Sequence, residues 1–160
     1  MTGFAIHLPS SSMLNTTKLK NIVFYADDDT DDLELVQDAF SRYTTNVEVV
    51  TAKDGVQALS YLKTIDHYTP APCLIILDIN MPMLGGRDVL KKIKEMPALA
   101  SVPVVLFTTS SSNLDKEFAK KYDAGFITKP LDISQMQMIT ELFVEHCSDE
   151  IKNNIRKRLQ

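Results

Sequence analysis

Four places in this chain carry side chains that together could handle a phosphoryl group. Asp27, Asp28 and Asp29 stand in a row after one apolar run, Asp78 directly follows a second, Thr108 closes a third and Lys129 follows a fourth. Carboxylates gathered at one place repel and resist joint ionisation, so a fold that gathers them implies a counter-ion. Carboxylate and carbonyl oxygens are hard ligands suited to Mg2+, which keeps several waters and often takes phosphate oxygens as further ligands. A carboxylate can also act as a nucleophile and form an acyl-phosphate. Phosphoryl transfer asks a protein for positioning and charge neutralisation more than for covalent help. Asp78 is the candidate nucleophile because the run before it, Cys73–Leu77, is apolar at every position, as a buried parallel strand must be. Lys129 would neutralise part of the incoming charge, and Thr108 offers a hydroxyl. Each residue alone has an ordinary explanation as a helix cap, a turn residue or a solvated charge. The specific signal is their joint occurrence, in order, at the ends of apolar runs.

Those runs alternate with helical stripes. Ile22–Ala26 reads as a strand, and Leu33, Val36, Phe40 and Tyr43 then recur at helical spacing, with Thr30 as the expected cap. Val47–Thr51 reads as a second strand, followed by Val56, Leu59, Leu62 and Ile65. Pro70 and Pro72 mark the loop His67–Pro72 before the third strand. Val89, Leu90 and Ile93 give a third helix, Pro103–Phe107 a fourth strand, and Leu114, Phe118 and Tyr122 a fourth helix. Gly125–Thr128 is a short fifth strand, and Asp132 with Gln135 resembles a capping box opening a last helix on Ile133, Met136, Ile139 and Phe143. Five βα units predict an α/β fold, a doubly wound five-stranded parallel sheet in the order 2-1-3-4-5. In that order strands one and three are neighbours, so Asp27–Asp29 and Asp78 should meet at one rim. Residues 1–20 show no sustained period and read as a flexible lead, 21–146 as the folded domain, and 147–160 as a polar extension that frays or runs into solvent.

Composition narrows the function classes. Hydrophobic residues make up 44% and charged residues 24%, a globular balance, and the net charge of −4 gives no general reason to expect nucleic-acid binding. No apolar run reaches the ~20 residues of a membrane span, and the start lacks a signal-peptide pattern, so a cytoplasmic protein is expected. Cys73 and Cys147 have neither metal nor disulfide-framework spacing and read as reduced thiols. Lys152, Arg156, Lys157 and Arg158 lie beside Asp149 and Glu150 and read as a solvated helix end.

The residues Tyr25–Asp28, Asp78–Pro82, Gly86, Thr108–Thr109 and Lys129–Pro130 resemble the signature of two-component response-regulator receiver domains over about residues 21–146. Single-domain regulators, including those paired with bacterial phytochromes, look most similar, given the long loop before strand three. The resemblance implies a flavodoxin-like receiver fold with Asp78 as phospho-acceptor. It implies Mg2+ bound directly by Asp28, with Asp27 helping through water or as a second ligand, and with Asp78 and the backbone carbonyl of Asn80 completing the set. Thr108 would hydrogen-bond the phosphoryl oxygen and Lys129 would pair with it. Phe126 occupies an aromatic switch position, for which an ordinary core aromatic is the equal alternative. The Lys129–Pro130 bond is expected to be cis, and Pro82 and Gly86 to shape the following loop. Thr109, where a smaller residue is frequent, would narrow access to the acyl-phosphate. The implied partners are a histidine kinase or histidine phosphotransfer protein and a downstream protein target. The stretch after residue 146 is too short for an output domain, so direct DNA binding is not expected. A homodimer is left open.

Three other readings compete. A haloacid-type phosphatase also uses an aspartate after a strand but wants a second Asp where Asn80 stands. A flavin carrier needs a phosphate-binding first loop, which Asp27–Asp29 would repel. A receiver-like binding module that works without phosphorylation is the main alternative, and the complete set of acid, hydroxyl and lysine argues against it.

Overall fold

A computed structural model describes residues 20–43, 46–66 and 68–157. The elements run β1 (Asn21–Ala26), α1 (Thr30–Phe40), β2 (Val47–Ala52), α2 (Gly55–Leu62), β3 (Leu74–Leu77), α3 (Gly86–Lys94), β4 (Val104–Thr108), α4 (Asn113–Lys121), β5 (Gly125–Thr128), α5 (Ile133–Gln137), α6 (Thr140–Val144) and α7 (Asp149–Arg156). The strands form one sheet in the order β2-β1-β3-β4-β5, and every pairing is parallel. The expected order is therefore observed. Register sets Ala26 beside Leu77 and Leu77 beside Leu106, so the residues leaving β1, β3 and β4 emerge side by side.

The side-chain alternation of the strands divides the core in two. Phe24, Ala26, Ile75, Leu77, Val104 and Leu106 face one side, where α2, α3 and α4 supply Leu62, Leu90, Ile93 and Ala119. Val23, Tyr25, Leu74, Ile76, Val105 and Phe107 face the other, covered by Val36 and Phe40 of α1, Met136 of α5, Phe143 of α6 and Ile155 of α7. Burying both faces is what permits β3 to be apolar throughout.

Several local expectations change. The cap of α1 is Asp29, not Thr30: its carboxylate accepts the N–H groups of Asp31 and Asp32, and an ionised acceptor suits the helix N-terminus better than a hydroxyl. Val56, Leu114 and Ile133 are exposed rather than part of core stripes. On α4 the buried positions are Asp115 and Ala119, one turn apart. The last helix is not continuous. Met138 leaves helical geometry (φ −98°, ψ 4°), yet Met136, Ile139 and Phe143 remain buried on the α1 side. Asp132 caps α5 through the N–H of Ser134.

The C-terminal stretch neither frays nor projects into solvent over its described part. Ser148 caps α7, and Ile155 is fully buried in the core under α1 and α6. Asn154 accepts the Asn21 amide at 2.7 Å, and its carbonyl accepts the Asn46 amide at 3.0 Å. Ile151 and Ile155, one turn apart, give this polar segment an apolar edge, which is what seats it. The expectations for residues 1–19, His67 and Arg158 lie outside the described residues. Among the described residues no helix is long and apolar enough to cross a membrane.

Candidate phosphoryl-acceptor site

The carboxyl ends of β1, β3 and β4 and the residue after β5 build the site. β1 runs directly into Asp27, and β3 into Asp78, whose N–H bonds the carbonyl of Ala26 at 3.0 Å. That bond stitches the two loops together one residue beyond the strands. Carboxylate oxygens of Asp27, Asp28 and Asp78 lie within 4.8 Å of one another. Asp27 is completely buried and Asp78 is 6% exposed, while Asp28 faces solvent.

Lys129 enters from β5. Its ammonium lies 2.7 Å from Asp27 Oδ2, 2.7 Å from Asp32 Oδ2 and 3.7 Å from Asp78 Oδ2, and 5.7 Å from the centre of the Phe107 ring. Burial works against the charged amine, but the hydrogen bonds to Asp27 and Asp32 outweigh it and hold its pKa above the usual lysine value. Asp78 is instead driven toward its neutral form. Burial first, and then the Asp27 charge, push its carboxyl up to about 7, while Lys129 and the N–H of Asn80 partly offset the rise.

Asp27 is held at each oxygen. Its Oδ1 accepts the Asp29 N–H at 2.9 Å. Its Oδ2 takes Lys129 and also the hydroxyl of Tyr25, two residues earlier on the same face of β1. Tyr25 is fully buried edge-on to Phe107, and burial, then Asp27, keep its phenol firmly protonated.

Thr108 closes β4 and is fully buried. Its carbonyl accepts the Lys129 N–H at 2.7 Å, whereas its hydroxyl accepts the Ser110 N–H at 3.2 Å. Ser110 Oγ in turn donates to Asp115 at 2.7 Å, and Arg87 of α3 pairs with the same carboxylate. Gly86, which opens α3, lies against the end of β3: a Cβ there would collide with the carbonyl of Asp78.

The structure thus brings together Asp27, Asp28, Asp78 and Lys129, with Thr108 on the same rim. Asn80 is exposed and reaches Asp78 through its N–H. Phe126 is half-buried in β5, beside Leu106. The expected cis bond at Lys129–Pro130 is absent: no cis peptide occurs among the described residues. Trans is the lower-energy isomer before proline, and Lys129 reaches its carboxylates and the Thr108 carbonyl with it. Asp32 and Tyr25 were not expected here. Asp32 is one helical turn beyond Asp28, a spacing that could have turned it toward the rim, and the polar tip of Tyr25 within an apolar run was the signal for the other.

Oxygen donors of three carboxylates at this spacing, two of them buried, fit a hard divalent cation. The family model of the response regulator receiver domain matches residues 23–141. The chain belongs to this family. It is 36% identical to the response regulator Rcp1 of Synechocystis over 96 residues, 59% of this chain and 65% of that protein, so the match spans just under two thirds of Rcp1. It is 30% identical to the two-component response regulator ARR7 of Arabidopsis thaliana over 92% of this chain and 74% of that one. Among solved structures, the phosphorylated cyanobacterial phytochrome response regulator RcpA superposes with a TM-score of 0.72 at 33% identity, covering 81% of this chain and 98% of that one. The Mn2+-bound form of Rcp1 gives 0.69 at 30% identity, covering 80% and 97%. The receiver fold of this chain is therefore established, as is its family membership.

Proposed function

We propose that this receiver accepts a phosphoryl group on Asp78 from the phosphohistidine of a histidine kinase or phosphotransfer protein, in an Mg2+-dependent reaction, and thereby changes a protein-binding surface. The observation that carries this is the convergence of Asp27, Asp28 and Asp78 within 4.8 Å, with the Lys129 ammonium against two of them. The phosphorylated RcpA and Mn2+-bound Rcp1 structures support it by similarity.

Asp27, Asp28, Asp78 and the carbonyl of Asn80 would hold the cation, which supplies charge neutralisation to the bound phosphoryl group. An ionised Asp78 oxygen attacks phosphorus as the bond to the donor imidazole breaks, and the imidazole nitrogen keeps the electron pair and takes a proton from water. Asp78 is held by its N–H to Ala26 and by the strand behind it, so its carboxylate needs little reorganisation. Lys129 is charged in advance and shifts from shared duty among acids to pairing with the new dianion. Thr108 can release its long bond to Ser110 and donate to a phosphoryl oxygen. That contact exists only in the modified state and biases the β4–α4 loop and Phe126 on β5 toward a second surface shape. The chemistry is confined to the receiver's own aspartate, with no turnover of an external substrate.

The test uses acetyl phosphate with Mg2+. Wild-type protein should become labelled, and Asp78→Asn should lose the label. Labelling of that variant at the wild-type rate removes Asp78 as acceptor and favours a phosphorylation-independent binding module.

A further inference from the structure

The two cysteines, remote in sequence, stand side by side at the end of the sheet opposite the carboxylates. Cys73 immediately precedes β3, and its N–H is fixed to the Ile22 carbonyl at 2.8 Å. Cys147 lies in the turn between α6 and α7, its N–H fixed to the Val144 carbonyl at 3.0 Å. Both thiols are unbridged. Both line a cavity of about 560 Å3 walled also by Lys20, Ile22, Pro72 and Pro103, and both pack into the same core face. The two thiols lie close enough to perturb each other's ionisation.

We propose that Cys73 and Cys147 form an oxidant-reactive dithiol site that takes a small hydroperoxide and closes to an intrachain disulfide. The two partners differ in character. The neighbouring Cys73 thiol first, and then Lys152 and Arg156 of α7, lower the Cys147 pKa against the opposing effect of burial. The neighbouring Cys147 thiol, and then burial, raise that of Cys73. Cys147 also sits just before the Ser148 cap, at the positive end of α7. Cys147 is therefore the attacking sulfur and Cys73 the resolving one.

The chemistry balances. The Cys147 thiolate attacks one peroxide oxygen; the S–O bond forms, the O–O bond breaks, and the departing hydroxide leaves as water with the thiol's proton. Cys73 then attacks the sulfur of the resulting sulfenic acid. The S–S bond forms, the S–O bond breaks, and a second water carries away the Cys73 proton. Two electrons pass from the thiols to the peroxide. The product ties α7 to the start of β3, the strand whose other end carries Asp78.

The experiment treats the full chain with a few equivalents of hydrogen peroxide and follows free thiols and intact mass. Wild type should lose both thiols without forming links between chains, lose the mass of two hydrogens, recover with dithiothreitol, and melt roughly 5–15 °C higher when oxidised. Cys73→Ser should stop at a sulfenic acid that dimedone captures on Cys147, and Cys147→Ser should leave Cys73 at least about tenfold slower to react. Survival of both wild-type thiols, products linked between chains, or equal reactivity of the two single variants would overturn the proposal. None of these readouts depends on phosphorylation of Asp78.

Discussion

The two ends of the sheet solve opposite problems with the same five strands. At the carboxyl end, Asp27, Asp32 and Asp78 crowd around one ammonium, with Asp28 beside Asp27 and Asp78. At the amino end, the polar groups that tie α7 to the sheet are neutral and paired: Asn21, Asn46 and Asn154 bond to one another, and the rest is packed by Ile151, Ile155 and the cysteines. The first end buries charge that the protein alone leaves undercompensated, and the charges at the second, Lys20, Lys152 and Arg156, are not buried. Excess charge of one sign in a buried place lowers stability unless a ligand relieves it, so only the first end should respond to a cation.

The largest expected effects test that contrast with two truncations. Ile155→Ala should cost about 2–4 kcal/mol, and Lys129→Ala, which leaves buried Asp27 without its cation, about 2–4 kcal/mol at pH 8 in chelator. Urea unfolding with and without Mg2+ separates them. Measured against wild type under the same conditions, the deficit of the lysine variant should shrink with Mg2+ and that of the isoleucine variant should stay the same; an equal change in both deficits erases the distinction between the ends.

A smaller effect comes from pH. The Asp78 carboxyl is raised to about 7 in the folded protein from its ordinary value of 3.8. The folded state therefore keeps a proton that the unfolded chain has already released, and stability falls as pH rises from about 4 to about 7, then levels. Asp78→Asn lacks that loss. In chelator it should exceed wild type by roughly 1–3 kcal/mol at pH 8, allowing for solvent screening at the rim, and match it near pH 4. A constant difference across that window would show that Asp78 is not the strained group.

The smallest change is removal of one oxygen. Tyr25→Phe keeps the packing against Phe107 but frees Asp27 Oδ2 from its hydroxyl. Mg2+ affinity, read by titration, should weaken about tenfold, as when an outer-shell partner of a ligand is lost. Unchanged affinity would mean that Lys129 and Asp29 alone orient Asp27.

The strand order and the meeting of Asp27, Asp28, Asp78 and Lys129 were readable because both arise from local pattern. A period of two or a continuous apolar run marks each strand, and a parallel sheet must deliver the residues after its strands to one edge. Contacts set by helix direction were not readable in that way. Asp32 is one of two acids in the first turn of α1, and only the docking of that helix on the sheet brings it to Lys129. The pairing of Cys73 with Cys147 depends on where α7 docks, and α7 was hidden because its apolar edge is just Ile151 and Ile155 among charges. Backbone isomerism at Lys129–Pro130 was inferred from resemblance, and the chain's own bonds do not require it.

Thr108 is tethered unevenly. Its peptide carbonyl is gripped at 2.7 Å by the next strand's exit, but its side chain hangs on a single 3.2 Å contact. A turn about one carbon–carbon bond can therefore redirect the hydroxyl while the ladder beneath it keeps its register. The first movement of any response would then be a single side-chain rotation, with loop rearrangement on the nanosecond-to-microsecond scale coming after it.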